Sequence, residues 1–581
     1  MNLKQTIFMV FLGFLLISGS TTLQGATSIL LQGFEETASK PSVWVVNIPN
    51  DHASVRLLEE PHDGKTCLAL DYQFVSTGSF QYVGIPITVN IQAPVQKVRF
   101  WLRGDGSKCS YGIRITDAHE ETHQYSRSTG QGGIIDFTGW REVVFDLGAN
   151  HETWGGDKNQ RIDYPITTIT LSTGQPLDGE KRVTVKSQVA FDSLAVDSTL
   201  SAGEVLGPQI SVIAPKYCSM IKGNTRIELA TRGFKRVTAK CWKAGGGFGT
   251  DSTVATVELD AEGKGLFVFP ADAYPHGPIT VRISGQEGGA KDNCYLQLYN
   301  QGGVSWNEGI PRKPPAATEG MDLVFEDDFQ APLSISSTDS KARYYDHKPP
   351  GGSQDFSVHT FSGYASPKNP FGQVDSYLRI RASDETHSAG LISSMKNDAS
   401  GITAKVPCYF ECRFIGPNAI GTWPAFWLMT DYMTDHVKGV KVPCDELDVI
   451  EAYGGEGPRA PNAFDGYMIT PHCWDQGEAG KALEKQAFEG LHNPVRMGRF
   501  GIPSAWFETF HTYGCKITET DTVYYCDDIE VGRHATLPLS KKLPFFFLIN
   551  LATGGGWPVD LSRYGGLADM YVDYVRVYQG R

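Results

Sequence analysis

Three carboxylates, Glu446, Asp448 and Glu451, fall within the run DELDVIEAYGG (445–455). Their neighbours Leu447, Val449 and Ile450 are apolar, and Val and Ile favour strands. Alternation along a strand puts Glu446 and Asp448 on one face. Glu451 comes five residues after Glu446, so an ideal strand would turn it to the other face. One extra residue, as a β-bulge inserts, brings it back. The spacing therefore predicts a bulge at Val449–Ile450. With the bulge, one face carries two glutamates close together. That arrangement suits double displacement at a sugar, in which one carboxylate attacks the anomeric carbon and the other protonates the leaving oxygen at a separation of about 5–5.5 Å. Without the bulge the run is a strand with solvated charges.

The elements around this run are strand-like. From MDLVFEDDF (321–329) to the end, the strongest signals are YLRIRAS, YFECRF, AFWLM, ELDVIEAY, TVYYCDD, PFFFLINLA and MYVDYVRVYQ. There is no long amphipathic helix and no alternation of strands with helices, which predicts a large two-sheet sandwich. Residues 27–200 hold short alternating runs such as KVRFWLRG, with Val98, Phe100 and Leu102 on one face and Trp101 on the other. They predict a β-sandwich, read either as a carbohydrate-binding module or as a structural domain. Trp101 can stack on a sugar ring or pack under a loop. Residues 207–300 predict a smaller immunoglobulin-like sandwich, a spacer in which Cys241 and Cys294 can pair across the sheets. Residues 301–320 are rich in Gly and Pro and read as a linker.

Five stretches in order resemble glycoside hydrolase family 16. They are ELDVIE (446–451), GTWPAFWLM (421–429), FHTYGCKITETDTVYYCDD (510–528), PFFFLINLATGGGWP (544–558) and MYVDYVRVYQ (570–579). The ExDxxE spacing is that of the family's bulged branch, which includes hydrolases of β-1,3-glucans, agarose and carrageenan. The resemblance covers 321–581 and implies a β-jelly roll (concanavalin A-like), all-β like the two smaller sandwiches before it. It implies retaining endo-hydrolysis of a β-linked polysaccharide, with Glu446 as nucleophile, Glu451 as general acid/base and Asp448 between them. Glu451 should then hold a proton, so burial and the adjacent charges should raise its pKa. Trp423 and Trp427, four apart in a strand, can share a face and stack on pyranose rings. Tyr453, His472, Trp474, Asn550 and Trp557 are further substrate-binding candidates. The family often holds a structural calcium, and Asp328 and Asp573 are its candidate ligands by motif, although Asp328 stands where Glu is commoner. No cofactor is expected for catalysis. A transglycosylase and a non-catalytic carbohydrate-binding protein are the rival readings. Arg413 and NPVRMGRFG (493–501) hint at basic residues near the cleft, which a sulfated galactan would require. The EAYGG continuation favours a galactanase over a plain laminarinase.

Composition sets the partners. Lys plus Arg is 52 against 65 for Asp plus Glu, a net charge of −13. This gives no support for nucleic acid or an anionic membrane as partner, whereas a neutral polymer is compatible. The first 26 residues carry Lys4, an apolar run from Ile7 to Ile17 and small residues ending near Ala26. That is the pattern of a cleaved signal peptide and predicts a secreted, periplasmic or cell-surface monomer with no membrane contact after cleavage. The 11 cysteines show no zinc-like spacing.

Overall fold

The structure is a computed structural model that describes residues 26–35, 43–76, 79–178, 181–243, 252–305, 313–350, 356–455, 466–491, 493–557 and 559–581. The leader up to residue 25 lies outside the described residues. The chain divides into two compact units, Met1–Glu35 with Ser42–Leu206, and Glu36–Pro41 with Gly207–Arg581.

The first unit is a sandwich. One sheet runs Thr138–Asp146, Lys97–Asp105, Val185–Ser198, Cys67–Phe74 and Ala53–Leu58, with Thr27–Gln32 also paired to Val185–Ser198. The other runs Glu152–Gly155, Glu121–Tyr125, Ser110–Thr116, Ile166–Gly174, Tyr82–Ile91 and Trp44–Val46, with Gly133–Ile134 added on Ser110–Thr116. Alternation does what the pattern predicts. Val98, Phe100 and Leu102 are buried and share one core with Ile113, Ile115, Ile169 and Leu171 of the facing sheet. Trp101 lies on the outer side, but its ring stacks flat on His62, with centroids 3.5 Å apart and planes 12° from parallel. It packs under that loop and does not form an open platform.

Within the second unit, residues 207–300 form a three-stranded sheet (Gln209–Ala214, Asn224–Arg232, Lys264–Pro270) and a five-stranded one (Ser219–Ile221, Ala290–Asn300, Gly277–Glu287, Arg236–Cys241, Ser252–Glu258). Cys241 and Cys294 do not bridge. None of the 11 cysteines forms a disulfide. The two sit in one sheet on strands that flank Gly277–Glu287. Two strand spacings separate them by about 10 Å, beyond disulfide reach. This region also packs directly on the C-terminal part of the unit. Arg563 clamps Asp292, Gln297 bonds both the N–H and the C=O of Asp569, and Thr280 donates to the Phe507 carbonyl. Of the linker segment, Ala316–Thr318 form a short 3-10 turn with Thr318 buried, and residues 306–312 lie outside the described residues.

The C-terminal part is one continuous strand system. Its order is Val495–Arg496, Gly466–Trp474, Cys444–Glu451, Thr422–Thr430, Phe545–Thr553, Ser388–Ser393, Tyr377–Ser383, Leu567–Gly580, Cys408–Ile415, His511–Ile517, Asp521–Cys526 and Ile529–Ala535. The two halves share a core, in which Phe426, Leu428, Leu447 and Phe547 of the first half meet Phe410, Phe414, Val572 and Val575 of the second. Such a roll leaves the far face of each half free for other chemistry.

Candidate active site

The bulge is visible in the pairing register. Against Gly466–Trp474, Asp448 pairs with Thr470 but Glu451 with Met468. Against Thr422–Thr430, Asp448 pairs with Trp427 and Ile450 with Phe426. On both sides one extra residue is accommodated between Asp448 and Glu451. Consecutive Val449 and Ile450 therefore both enter the core beside Leu447. Glu446, Asp448 and Glu451 are left together on the outer face, lining a cleft of about 800 Å³.

Each carboxylate has its own partners. Glu451 Oε1 accepts from Trp423 Nε1–H at 3.2 Å and from the Tyr453 hydroxyl at 3.1 Å, and its Oε2 from the Thr470 hydroxyl at 2.7 Å. Both hydroxyls can also turn to accept, so the set suits Glu451 with or without a proton. Glu446 Oε2 accepts from Trp474 Nε1–H at 3.1 Å and has Lys348 Nζ at 3.9 Å. His472 Nε2 lies 3.6 Å from Asp448 Oδ2. Burial pushes the Asp448 carboxyl well above its usual range, and Glu451 and Glu446 add to the shift. Burial also raises Glu446, against which Lys348, His472 and the Trp474 N–H act. Asp448 thus sits between two other carboxyls, with His472 beside it, while Lys348 stands beside Glu446.

The predicted sugar-binding residues separate into two groups. Trp423, Tyr453, His472, Trp474 and Trp557 line the cleft. Trp423 and Tyr453 stack on each other at 5.5 Å, and His472 stacks on Trp474 at 5.0 Å. Trp474 and Trp557 keep 46% and 39% of their surface exposed, enough for a ring face to meet ligand. Trp427 and Asn550 also border the cleft but are only 3% and 1% exposed. Trp427 donates its N–H to Asn550 Oδ1, and Asn550 Nδ2 donates to the Trp423 carbonyl. Asn550 thus positions the two tryptophans.

The calcium and Arg413 expectations need correction. Asp573 is fully buried and ion-paired with Arg413. A divalent ion there would have to displace a guanidinium, which can donate but cannot coordinate. Asp328 accepts the Gln330 N–H, and neither aspartate falls in a group of His, Cys, Asp or Glu able to hold an ion among the described residues. Asp573, held by Arg413, does not fit a calcium ligand. Arg413, bound to Asp573 on the second half, is not in the cleft, nor is any arginine of 493–501 among the cleft residues.

Among the described residues, the lysine or arginine that enters the cleft is Lys348, which the spacing of motifs gave no means of finding. Its Nζ also sits 5.1 Å over the Trp427 ring, and its side chain is 17% exposed. The charged groups around Glu446 are Lys348, Asp448, Glu451 and His472. Among the described residues, Lys348 is the strongest of the groups that oppose the burial shift of Glu446. Substituting Lys348→Met should raise the Glu446 pKa, and the acid limb of the kcat/KM profile should move to higher pH. Lys348→Arg should leave the limb near its place. A coincident limb in Lys348→Met would remove this role.

These features define an all-β protein of jelly-roll type whose cleft is built on a bulged strand with three carboxylates. No protein-family model matches the chain. Among curated proteins it is similar to Endo-1,3-1,4-beta-glycanase EglC of Rhizobium meliloti (strain 1021), 32% identical over 219 residues, or 36% of this chain and 40% of that protein. It is 27% identical over 184 residues to Beta-glucanase of Rhodothermus marinus, or 29% of this chain and 56% of that protein. The chain thus spans roughly half the length of these relatives. A solved structure of SCLam, a non-specific endo-beta-1,3(4)-glucanase from family GH16, aligns over 47% of this chain and 96% of its own, with 20% identity and a TM-score of 0.33. Over about a third of its length the chain is thus similar in sequence to proteins named endo-β-glycanase and β-glucanase.

Proposed function

We propose that the protein is an exported retaining endo-β-glycanase that cuts inside a β-linked polysaccharide at the cleft of the C-terminal part. The observation that carries this reading is the register shift that sets Glu446, Asp448 and Glu451 side by side on the cleft face. In the first step, Glu446 attacks the anomeric carbon as Glu451 gives its proton to the leaving glycosidic oxygen. In the second, Glu451 takes a proton from water, which attacks the same carbon and frees Glu446. Two inversions give retention. Asp448 holds a proton between the two and lessens their repulsion, and Lys348 keeps Glu446 ionised. Trp423, Trp474 and Trp557 offer ring faces to the sugar chain.

The names of the relatives favour a β-1,3- or mixed-linkage glucan. Lys348 beside the nucleophile favours a second class, galactans carrying an anionic substituent. A reducing-sugar assay on laminarin, lichenan, agarose, porphyran and carrageenans tests both, with product anomers read by NMR. The expected result is release of oligosaccharides of retained configuration from at least one polymer. Failure on all of them would overturn the reading, and products longer than the starting chain would make the protein a transglycosylase.

A further inference from the structure

The first unit carries a cluster that the catalytic reading does not use. It lies on the outer face of the sheet that contains Trp44–Val46, Tyr82–Ile91, Ile166–Gly174, Ser110–Thr116, Glu121–Tyr125 and Glu152–Gly155. Val83 and Ile85, Ile113 and Ile115, and Ile169 and Leu171 fill the inner side, so alternation turns Tyr82, Gly84, Arg114, Thr170 and Ser172 outward. Across the strands, Trp44 stands opposite Gly84, Thr170 opposite Arg114, Arg114 opposite Gln124, and Gln124 opposite Glu152.

Arg114 is the hub. Its guanidinium carbon lies 4.6 Å from the centre of the Trp44 ring, 4.7 Å from that of Tyr82 and 5.0 Å from that of Trp154. Trp44 and Trp154 are therefore held less than about 10 Å apart on one surface. Each tryptophan still exposes much of its surface, 36% and 43%. Exposed large aromatics are unremarkable when scattered, but two fixed around one cation form a site. Gly84 makes room for the arrangement, since a Cβ there would come within 2.7 Å of the Trp44 ring.

The charges on this face identify the ligand class. Arg114 Nε donates to Gln124 Oε1, and Gln124 Nε2 donates to Glu152 Oε2, each at 2.8 Å. One positive and one negative group are thus linked through an amide and offset each other. Within the cluster itself, the Arg114 and Glu152 charges therefore balance. The face offers two partly exposed tryptophan rings beside hydrogen-bonding groups, which suits a sugar with an apolar ring face and a rim of hydroxyls. We propose that Trp44, Arg114 and Trp154 form a binding platform for a neutral β-linked polysaccharide. The choice of a β-linked chain rests on the proposed function above. Tethered to a cleft that cuts the same polymer, such a platform raises the local concentration of substrate.

The test uses the full chain in a Glu446→Gln background, so that polymer survives the measurement and the result does not depend on turnover. Retention is measured on two insoluble probes, a β-1,3-glucan (curdlan) and agarose beads. Trp44→Ala/Trp154→Ala should lower retention at least about ten-fold on one of them, as expected for loss of two stacking contacts. Trp44→Tyr/Trp154→Tyr, which keeps a ring at both positions, should restore most of it. In the active background, the alanine pair should cleave short soluble oligosaccharides as the wild type does. Unchanged retention of a folded alanine pair on both polymers, or failure of the parent to be retained on either, would overturn the platform. Retention that falls as expected, in a chain whose Glu446 form cuts no β-glycan, would uphold the platform while the proposed catalysis failed.

Discussion

On the proposed mechanism, Glu446→Ala is expected to lower kcat by at least about 10⁴-fold on whatever polymer the protein cuts, because Glu446 is the group that forms the glycosyl-enzyme bond. Neither neighbouring carboxyl is placed to substitute for it. Asp448 lies next to Glu446, but burial and two neighbouring carboxyls hold its carboxyl well above the usual carboxylate range. Glu451 is engaged by Trp423, Tyr453 and Thr470. Its own alanine variant should lose less, about 10²–10⁴-fold, the usual contribution of a general acid/base. The two variants should also differ by substrate. With an activated aryl leaving group, Glu451→Ala should recover much of its first-step rate, because little protonation is needed. Glu446→Ala should not recover. Steady-state and burst kinetics on an aryl glycoside and on polymer measure both effects. Near wild-type turnover in Glu446→Ala would refute the nucleophile assignment.

The second large effect is on stability and lies in the second half of the roll. Glu411 and Arg576 are directly opposite across neighbouring strands and ion-paired, with 0% and 3% of their surfaces exposed. Burial raises the Glu411 pKa from 4.5 to about 7 even though Arg576 acts against the shift, and nearby Asp528 adds to it. Arg576→Met should destabilise the protein by about 3–5 kcal/mol near neutral pH, since it leaves a buried carboxyl without its cation. The sign of the pH dependence follows from the shift. A carboxyl raised in the folded state favours folding below its unfolded pKa, and that contribution is lost as pH rises through the folded value. Without Arg576 the Glu411 pKa rises further, so the variant should be close to wild type near pH 5 and fall behind as pH increases. Glu411→Gln/Arg576→Met, which removes both charges, should recover most of the loss. Thermal melts at pH 5, 7 and 9 measure this. A uniform penalty across that range would mean that lost packing, not the unpaired charge, is responsible.

Much of this protein could be read from its sequence because its information is local. Strand alternation placed Val98, Phe100 and Leu102 in a core and Trp101 outside it. The five-residue gap between Glu446 and Glu451 predicted a bulge at Val449–Ile450, and the register shows it there. Local pattern, however, assigns a side chain only to a face. It does not say what covers that face. Trp101 was outward as expected and still lies beneath His62, whereas Trp44 and Trp154 form the open cluster around Arg114. Arg413 looked like a cation for the cleft and instead neutralises Asp573, a candidate calcium ligand, on the other half.

By itself the sequence determined an all-β chain, the order of its strands and three carboxylates on one bulged face. These follow from the two-residue period of a strand and from one inserted residue. Only the tertiary structure decided that Lys348 stands beside Glu446, that Asn550 holds the two tryptophans, and that residues 207–300 pack on the C-terminal part. Each of these is a contact between segments far apart in the chain. They are fixed by how the strand system rolls around its core, a geometry that no local periodicity encodes.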